Sequence, residues 1–142
     1  MTAEARERPF DEIAVGESAA YSKTITEDDV RTFAALSGDV NPVHLDAEFA
    51  RNTAFGRPIA HGMLAASLIS TVIGTRLPGI NTIYLGQELK FTAPVFYGDT
   101  LTAKVVVTEK REDKPILRLD TTVSKEDGTV VVDGHAVVMK PR

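Results

Sequence analysis

Residues 58–75 read Pro-Ile-Ala-His-Gly-Met-Leu-Ala-Ala-Ser-Leu-Ile-Ser-Thr-Val-Ile-Gly-Thr, without one Lys, Arg, Asp or Glu. The run is about as long as the shortest helices that cross a membrane. His61, Ser67, Ser70, Thr71 and two glycines interrupt it, however, and a helix buried inside a soluble protein fits it better. The pattern predicts a helix over roughly residues 61–77, ended by Pro78-Gly79. Met63, Leu64, Leu68, Ile69, Val72 and Ile73 make that helix apolar on most sides. The rest of the chain must therefore surround it.

The surroundings lie downstream. Residues 82–93, 101–111, 116–125 and 130–139 are strand-length segments rich in Val, Ile, Leu, Thr, Tyr and Phe. Their connectors carry turn residues, and Glu112-Asp113-Lys114-Pro115 and Glu126-Asp127-Gly128 read as hairpin turns. Upstream, residues 1–8 read as a loose tail, and residues 10–16 as a turn leading to a strand over 18–24. We take residues 1–9 as a flexible tail and residues 10–142 as a single domain. One early strand and four late ones give an α+β fold, a single curved antiparallel sheet wrapped around one buried helix. That is the hot-dog architecture.

Between the first strand and the central helix the chain changes character. Thr26 caps a helix whose first turn is acidic, Glu27-Asp28-Asp29, and the Thr-x-x-Asp spacing matches a capping box. Val30, Phe33, Ala34 and Leu36 form its apolar face, and Ser37-Gly38 ends it. Residues 37–46, Ser-Gly-Asp-Val-Asn-Pro-Val-His-Leu-Asp, then place a carboxylate (Asp39), an amide (Asn41) and an imidazole (His44) within six residues. Pro42 excludes a regular helix or central strand here and stiffens the loop. Such loops carry chemistry, although the same residue types also build ordinary turns. Asp46 can cap a short helix over Ala47–Arg51, with Phe49 and Ala50 facing inward.

Composition narrows the function. The chain has 142 residues, 43% hydrophobic and 25% charged, which suits one soluble domain with a sizeable core. A net charge of −4 supplies no general field for nucleic acid or an anionic membrane, so neither partner is expected. The absence of cysteine removes disulfides, thiolate nucleophiles and thiolate metal sites. No apolar leader opens the chain, and a cytoplasmic protein is the expectation. The histidines at 44, 61 and 135 show no ligand spacing for a metal, and no phosphate-binding glycine loop occurs.

Two motifs now point further. Ser37-Gly38-Asp39-Val40-Asn41-Pro42-Val43-His44, followed by Arg57-Pro58-Ile59-Ala60-His61-Gly62-Met63-Leu64, resembles the MaoC-like (R)-specific enoyl-CoA hydratases, especially the short forms associated with polyhydroxyalkanoate synthesis. Leu77-Pro78-Gly79, Tyr84-Leu85-Gly86-Gln87, Val95-Phe96-Tyr97-Gly98-Asp99 and Arg111-Glu112-Asp113-Lys114-Pro115-Ile116 continue the likeness. It runs from about residue 16 to 139, with no departure at the positions the family uses for chemistry.

The resemblance implies reversible syn addition of water to a trans-2-enoyl-CoA, giving an (R)-3-hydroxyacyl-CoA. It implies no cofactor beyond water and the CoA carried by the substrate. Such a reaction needs a base for water, a proton for Cα and donors for the thioester oxygen. Asp39 and His44 are the expected catalytic pair, both holding the water. Each also has a local reading, Asp39 as an Asx turn and His44 as an imidazole satisfied by the backbone. Gly62 is the expected oxyanion donor, because N–H groups at a helix start lack intrahelical partners and glycine permits close approach. Asn41 either orients the pair or merely shapes the turn before Pro42. His61 is expected to serve the helix start and packing. Ser70 lies two turns beyond Gly62 on the same face, and either meets substrate or bonds the preceding turn's carbonyl. Met63, Ser67, Ile73 and Val138 are candidates for lining the acyl chain, with core packing as their other role. Arg57, Arg76, Lys90 and Lys140 are candidates for the CoA phosphates, or solvated charges.

Three other functions compete. A dehydratase acting on acyl-carrier-protein thioesters would use the same pair. A hot-dog thioesterase often carries an acid on its central helix, and residues 62–75 contain none. A non-catalytic acyl-CoA-binding subunit would not require Asp39 and His44. The resemblance further implies a homodimer, since a single hot-dog unit leaves a sheet edge and apolar surface open.

Overall fold

The structure is a computed structural model describing residues 4–142. After a 3-10 turn at Phe10–Glu12, its elements in chain order are β1 (Ser18–Thr24), α1 (Glu27–Ser37), α2 (Pro42–Leu45), α3 (Ala47–Arg51), α4 (Gly62–Thr75), β2 (Ile83–Phe91), β3 (Thr100–Lys110), β4 (Ile116–Lys125) and β5 (Val130–Met139). The strands form one antiparallel sheet in the order β1-β3-β4-β5-β2. The expected fold class, helices and a curved antiparallel sheet around one helix, is the fold observed.

Alternation carries the core. Along β3, Leu101, Ala103, Val105 and Val107 are buried, and Leu117, Leu119 and Val123 do the same on β4. Val132, Ala136 and Val138 add β5. Period-two burial puts these side chains on one face of the sheet. Against that face packs α4, through Ala65, Leu68, Ile69, Val72 and Ile73. Fully burying an aliphatic side chain of this size is worth about 1.5–3 kcal/mol, so this seam is the fold's main source of stability. Gly134 lets β5 approach β2: a Cβ there would lie 1.8 Å from the carbonyl oxygen of Glu88.

Several expectations change. Residues 37–46 contain a turn of helix, α2, because Pro42 occupies the first helical position, where a missing N–H is harmless. Phe49 points outward and is half exposed, although Ala50 is buried as expected. A helix of five residues is too short to show a reliable apolar period. Met63 is 56% exposed rather than enclosed, because the sheet covers one side of α4 and leaves Gly62, Met63, Ser67, Ser70 and Gly74 uncovered.

The tail also divides. Residues 1–3 lie outside the described residues, but Arg6–Glu7 is docked rather than flexible. The N–H of Arg6 donates to Thr75 O at 2.8 Å, and the N–H of Ile80 donates to Arg6 O at 2.9 Å. The ammonium of Lys140, buried to 1% exposure, donates to Glu7 at 2.6 Å and to the carbonyl of Ile80. A buried ammonium needs such partners, and that requirement fastens the tail.

Candidate active site

The polar loop is built by side chains bonding to nearby backbone. Gly38, at φ +81°, turns the chain out of α1, and its N–H donates to Ala34 O at 2.8 Å. The N–H of Asn41 donates to Asp39 Oδ1 at 3.3 Å, and that of Val43 donates to Asn41 Oδ1 at 3.1 Å. Asn41 therefore caps α2, the helical turn that carries His44. Asp46 accepts from Glu48 and Phe49 and caps α3 as expected.

His44 is 9% exposed and fixed from several sides. Its Nδ1 lies 2.7 Å from Ile59 O. A carbonyl can only accept, so this network assigns the proton to Nδ1 and leaves Nε2 as the free nitrogen. The hydroxyl of Tyr97 donates to His44 O, and burial raises the pKa of that phenol. The ring of His61 stacks on that of His44, with centroids 3.8 Å apart and planes at 30°.

Asp39, His44 and His61 each bring one carboxylate oxygen or ring nitrogen to within 4.8 Å of the others. The local readings of Asp39 and His44 are thus realised, an Asx turn and a backbone-bonded imidazole. Both leave an atom for chemistry, the second carboxylate oxygen and Nε2. One water molecule can bridge groups so spaced. A carboxylate and two imidazoles are also metal-ligand types. Here one nitrogen of each ring faces a carbonyl, Ile59 O and Asp39 O, which fixes the ring and leaves its other nitrogen for a water or a ligand.

Gly62 is the first residue of α4, so its N–H has no intrahelical acceptor. The space a Cβ would take is filled by the Phe91 ring, at 2.7 Å. Gly62 lines an apolar cavity of about 540 Å³ with Phe55, Ile59, Ala60, Phe91 and Val95. A second cavity, about 470 Å³, lies along the uncovered side of α4 between Phe33, Ser67, Ser70, Tyr84 and Leu89. Met63 lines both. The Asp39–His44 pair lines neither, but its surroundings do: Ile59, whose carbonyl faces His44, lines the first cavity, and Phe33, 4.8 Å from the His61 ring that stacks on His44, lines the second.

Other candidates separate. Ser70 opens onto the second cavity. The hydroxyls of Ser67, Thr71 and Thr75 bond back to their own helix, whereas no such bond from Ser70 occurs among the described residues. Ile73 and Val138 are core residues that line neither cavity. Lys140 is enclosed, Arg76 donates to Ala20 O, and Arg57 lies 3.9 Å over the Phe96 ring. His135 is on the outer face of the sheet, 3.4 Å from Asp120. Tyr97, Ile59 and His61 are the site residues whose contacts the sequence reading missed. They reach Asp39 or His44 across 53, 15 and 22 residues, and no local spacing signals that.

The chain is similar to known proteins over most of its length. The MaoC like domain profile matches residues 12–129. An Aeromonas caviae protein named (R)-specific enoyl-CoA hydratase is 54% identical over 129 residues, covering 91% of this chain and 96% of that protein. A Methylorubrum extorquens protein named 3-hydroxybutyryl-CoA dehydratase is 44% identical over 142 residues, covering 100% and 90%. The solved structure of an unliganded R-hydratase from Pseudomonas aeruginosa superposes with a TM-score of 0.93 at 48% identity, covering 99% of this chain and 90% of that one.

Proposed function

The chain belongs to the MaoC-like domain family, and from that premise we propose that it is an (R)-specific enoyl-CoA hydratase. It is a hydro-lyase that adds water reversibly and syn to a trans-2-enoyl-CoA, giving (R)-3-hydroxyacyl-CoA. The observation that carries this reading is the meeting of the Asp39 carboxylate with an imidazole nitrogen of His44 within 4.8 Å, beside the start of α4.

One water sits between Asp39 and His44. The unprotonated Nε2 of His44 accepts from the water and orients it, Asp39 takes the water's other proton as the oxygen attacks Cβ, and the carboxyl then returns that proton to Cα. Both transfers come from one side of the double bond, which makes the addition syn. The thioester oxygen, gaining enolate charge, accepts from the N–H of Gly62, where the α4 dipole also favours it. Ser70 meets the substrate from the second cavity, and Asn41 holds the turn beneath His44. Water and the substrate's own CoA suffice, with no metal or further cofactor.

The protein acts as a homodimer. Of the two sheet edges, β1 is polar, and its Ser22 and Thr24 hydroxyls pair with Thr102 and Thr100 on β3. The β2 edge instead carries exposed Ile83, Tyr84, Leu85 and Phe91. An apolar, unpaired edge beside the uncovered side of α4 is a surface that a second copy would cover.

The test follows loss of the conjugated enoyl-thioester absorbance with crotonyl-CoA. Wild type consumes it, while Asp39→Asn and His44→Gln each lower kcat/KM by about 10²–10⁴-fold. Near-normal turnover in either folded variant contradicts the assignment. Thiol release without hydration would indicate a thioesterase. A strong preference for the same enoyl group on carrier protein would indicate the acyl-carrier-protein dehydratase.

A further inference from the structure

We propose that His61 is a positioning residue that ties the two members of the catalytic pair to each other and to the start of α4. The inference rests on the hydratase reading above. His61 is 2% exposed. Its Nε2 lies 2.9 Å from the main-chain oxygen of Asp39, so the proton is on Nε2 and is donated to that carbonyl. Its ring stacks on His44 at 3.8 Å, and Phe33 closes in at 4.8 Å. One side chain thus holds the backbone under the carboxylate and the plane of the imidazole.

The same residue is the N-cap of α4, and its carbonyl accepts from Leu64 at 3.1 Å. The peptide it begins carries the N–H of Gly62. Movement of His61 would therefore displace the base, the imidazole and the oxyanion donor together. Misplacement of reacting groups by about an ångström costs about a hundredfold in rate.

A packing role alone does not explain the residue. Its Nδ1 is buried with no hydrogen-bond partner among the described residues, and an unpaired buried polar atom costs stability. Phenylalanine would fill a similar space, keep the stack and carry no such atom. What phenylalanine lacks is the donor to Asp39.

Three variants separate these roles: His61→Phe keeps a ring without the donor, His61→Leu keeps bulk alone, and His61→Gln restores an amide donor at similar reach. With crotonyl-CoA, His61→Phe is expected to lower kcat by about a hundredfold while KM changes less than about threefold. Its thermal stability should equal or exceed wild type. His61→Gln is expected to recover at least about tenfold of the lost kcat, as one restored hydrogen bond allows. If His61→Phe does not fold, His61→Leu against His61→Gln reads the same difference. A donor-free variant with wild-type kcat, or a glutamine variant no better than it, overturns the proposal. A wild type that binds enoyl-CoA without hydrating it overturns the functional reading beneath, and this one with it.

Discussion

Ile69 and Ser70 are neighbours in sequence and lie on opposite sides of α4. Ile69 is wholly enclosed with the sheet residues of the core, whereas Ser70 looks out onto a cavity between α4 and β2. The enclosed side follows one requirement, apolar volume without gaps. The open side mixes Gly62, Met63, Ser67, Ser70 and Gly74, and no single physical property unites them. Stability is concentrated on the first side. In the function proposed above, the second side is the one that receives substrate and a partner subunit.

Adjacent substitutions break this comparison most sharply. Ile69→Ala leaves a cavity and should cost about 2–5 kcal/mol in denaturant unfolding. Ser70→Ala should change stability by less than about 0.5 kcal/mol, yet lower turnover up to roughly tenfold through one lost substrate hydrogen bond. Equal stability losses in the pair would show that both sides are core.

A second substitution probes the open side itself. Leu85 is the extra residue where the β2–β5 register shifts between Tyr84 and Gly86, and it is 50% exposed. Leu85→Lys should leave the subunit folded and weaken dimerisation by about 1–3 kcal/mol, measured as a rise in dimer Kd by sedimentation equilibrium. An unchanged Kd would move the interface away from β2.

The smallest expected effect concerns α1, the mount of the polar loop. The carboxylate of Asp29 accepts from the Thr26 N–H at 2.9 Å and lies 3.3 Å from Lys23. The Thr26 backbone bond chiefly lowers its pKa, with the Thr26 hydroxyl and Lys23 adding to the effect. A lowered folded-state pKa means that Asp29 contributes its full stability above the unfolded carboxylate range, and that this is lost as pH falls through the folded value. Asp29→Ala should therefore cost about 1 kcal/mol at neutral pH, and the difference should fade below about pH 4. A gap that persists in acid would mean that the uncharged carboxyl, rather than its charge, carries the contribution of Asp29.

Strands and the longer helices were legible because burial imposes a period of two or of about 3.6 residues. The capping box at Thr26, the cap at Asp46 and the central helix followed from local chemistry alone. Where the reading failed, the deciding contact was distant or the element too short for a period. Pro42 signalled a break but serves as a helix start. Met63 looked like core because composition does not say which side of an apolar helix stays uncovered. Lys140 reads from sequence as a phosphate contact or a solvated charge and is neither, because Glu7, 133 residues away, pairs with it in a buried position. Asp39 and His44 were readable as candidates through proximity and resemblance. The residues that hold them, His61, Ile59 and Tyr97, come from separate parts of the chain and converge through folding.

The most direct test of the account is the configuration of the product. Wild-type enzyme is supplied with crotonyl-CoA and water, and the 3-hydroxyacyl-CoA is offered separately to (R)- and (S)-specific dehydrogenases. The (R)-specific hydratase reading requires Asp39 and His44 to deliver water to one particular face of Cβ, and it predicts that only the (R)-specific enzyme reduces its nicotinamide. An (S) product would contradict the proposed arrangement of water, base and thioester around this pair.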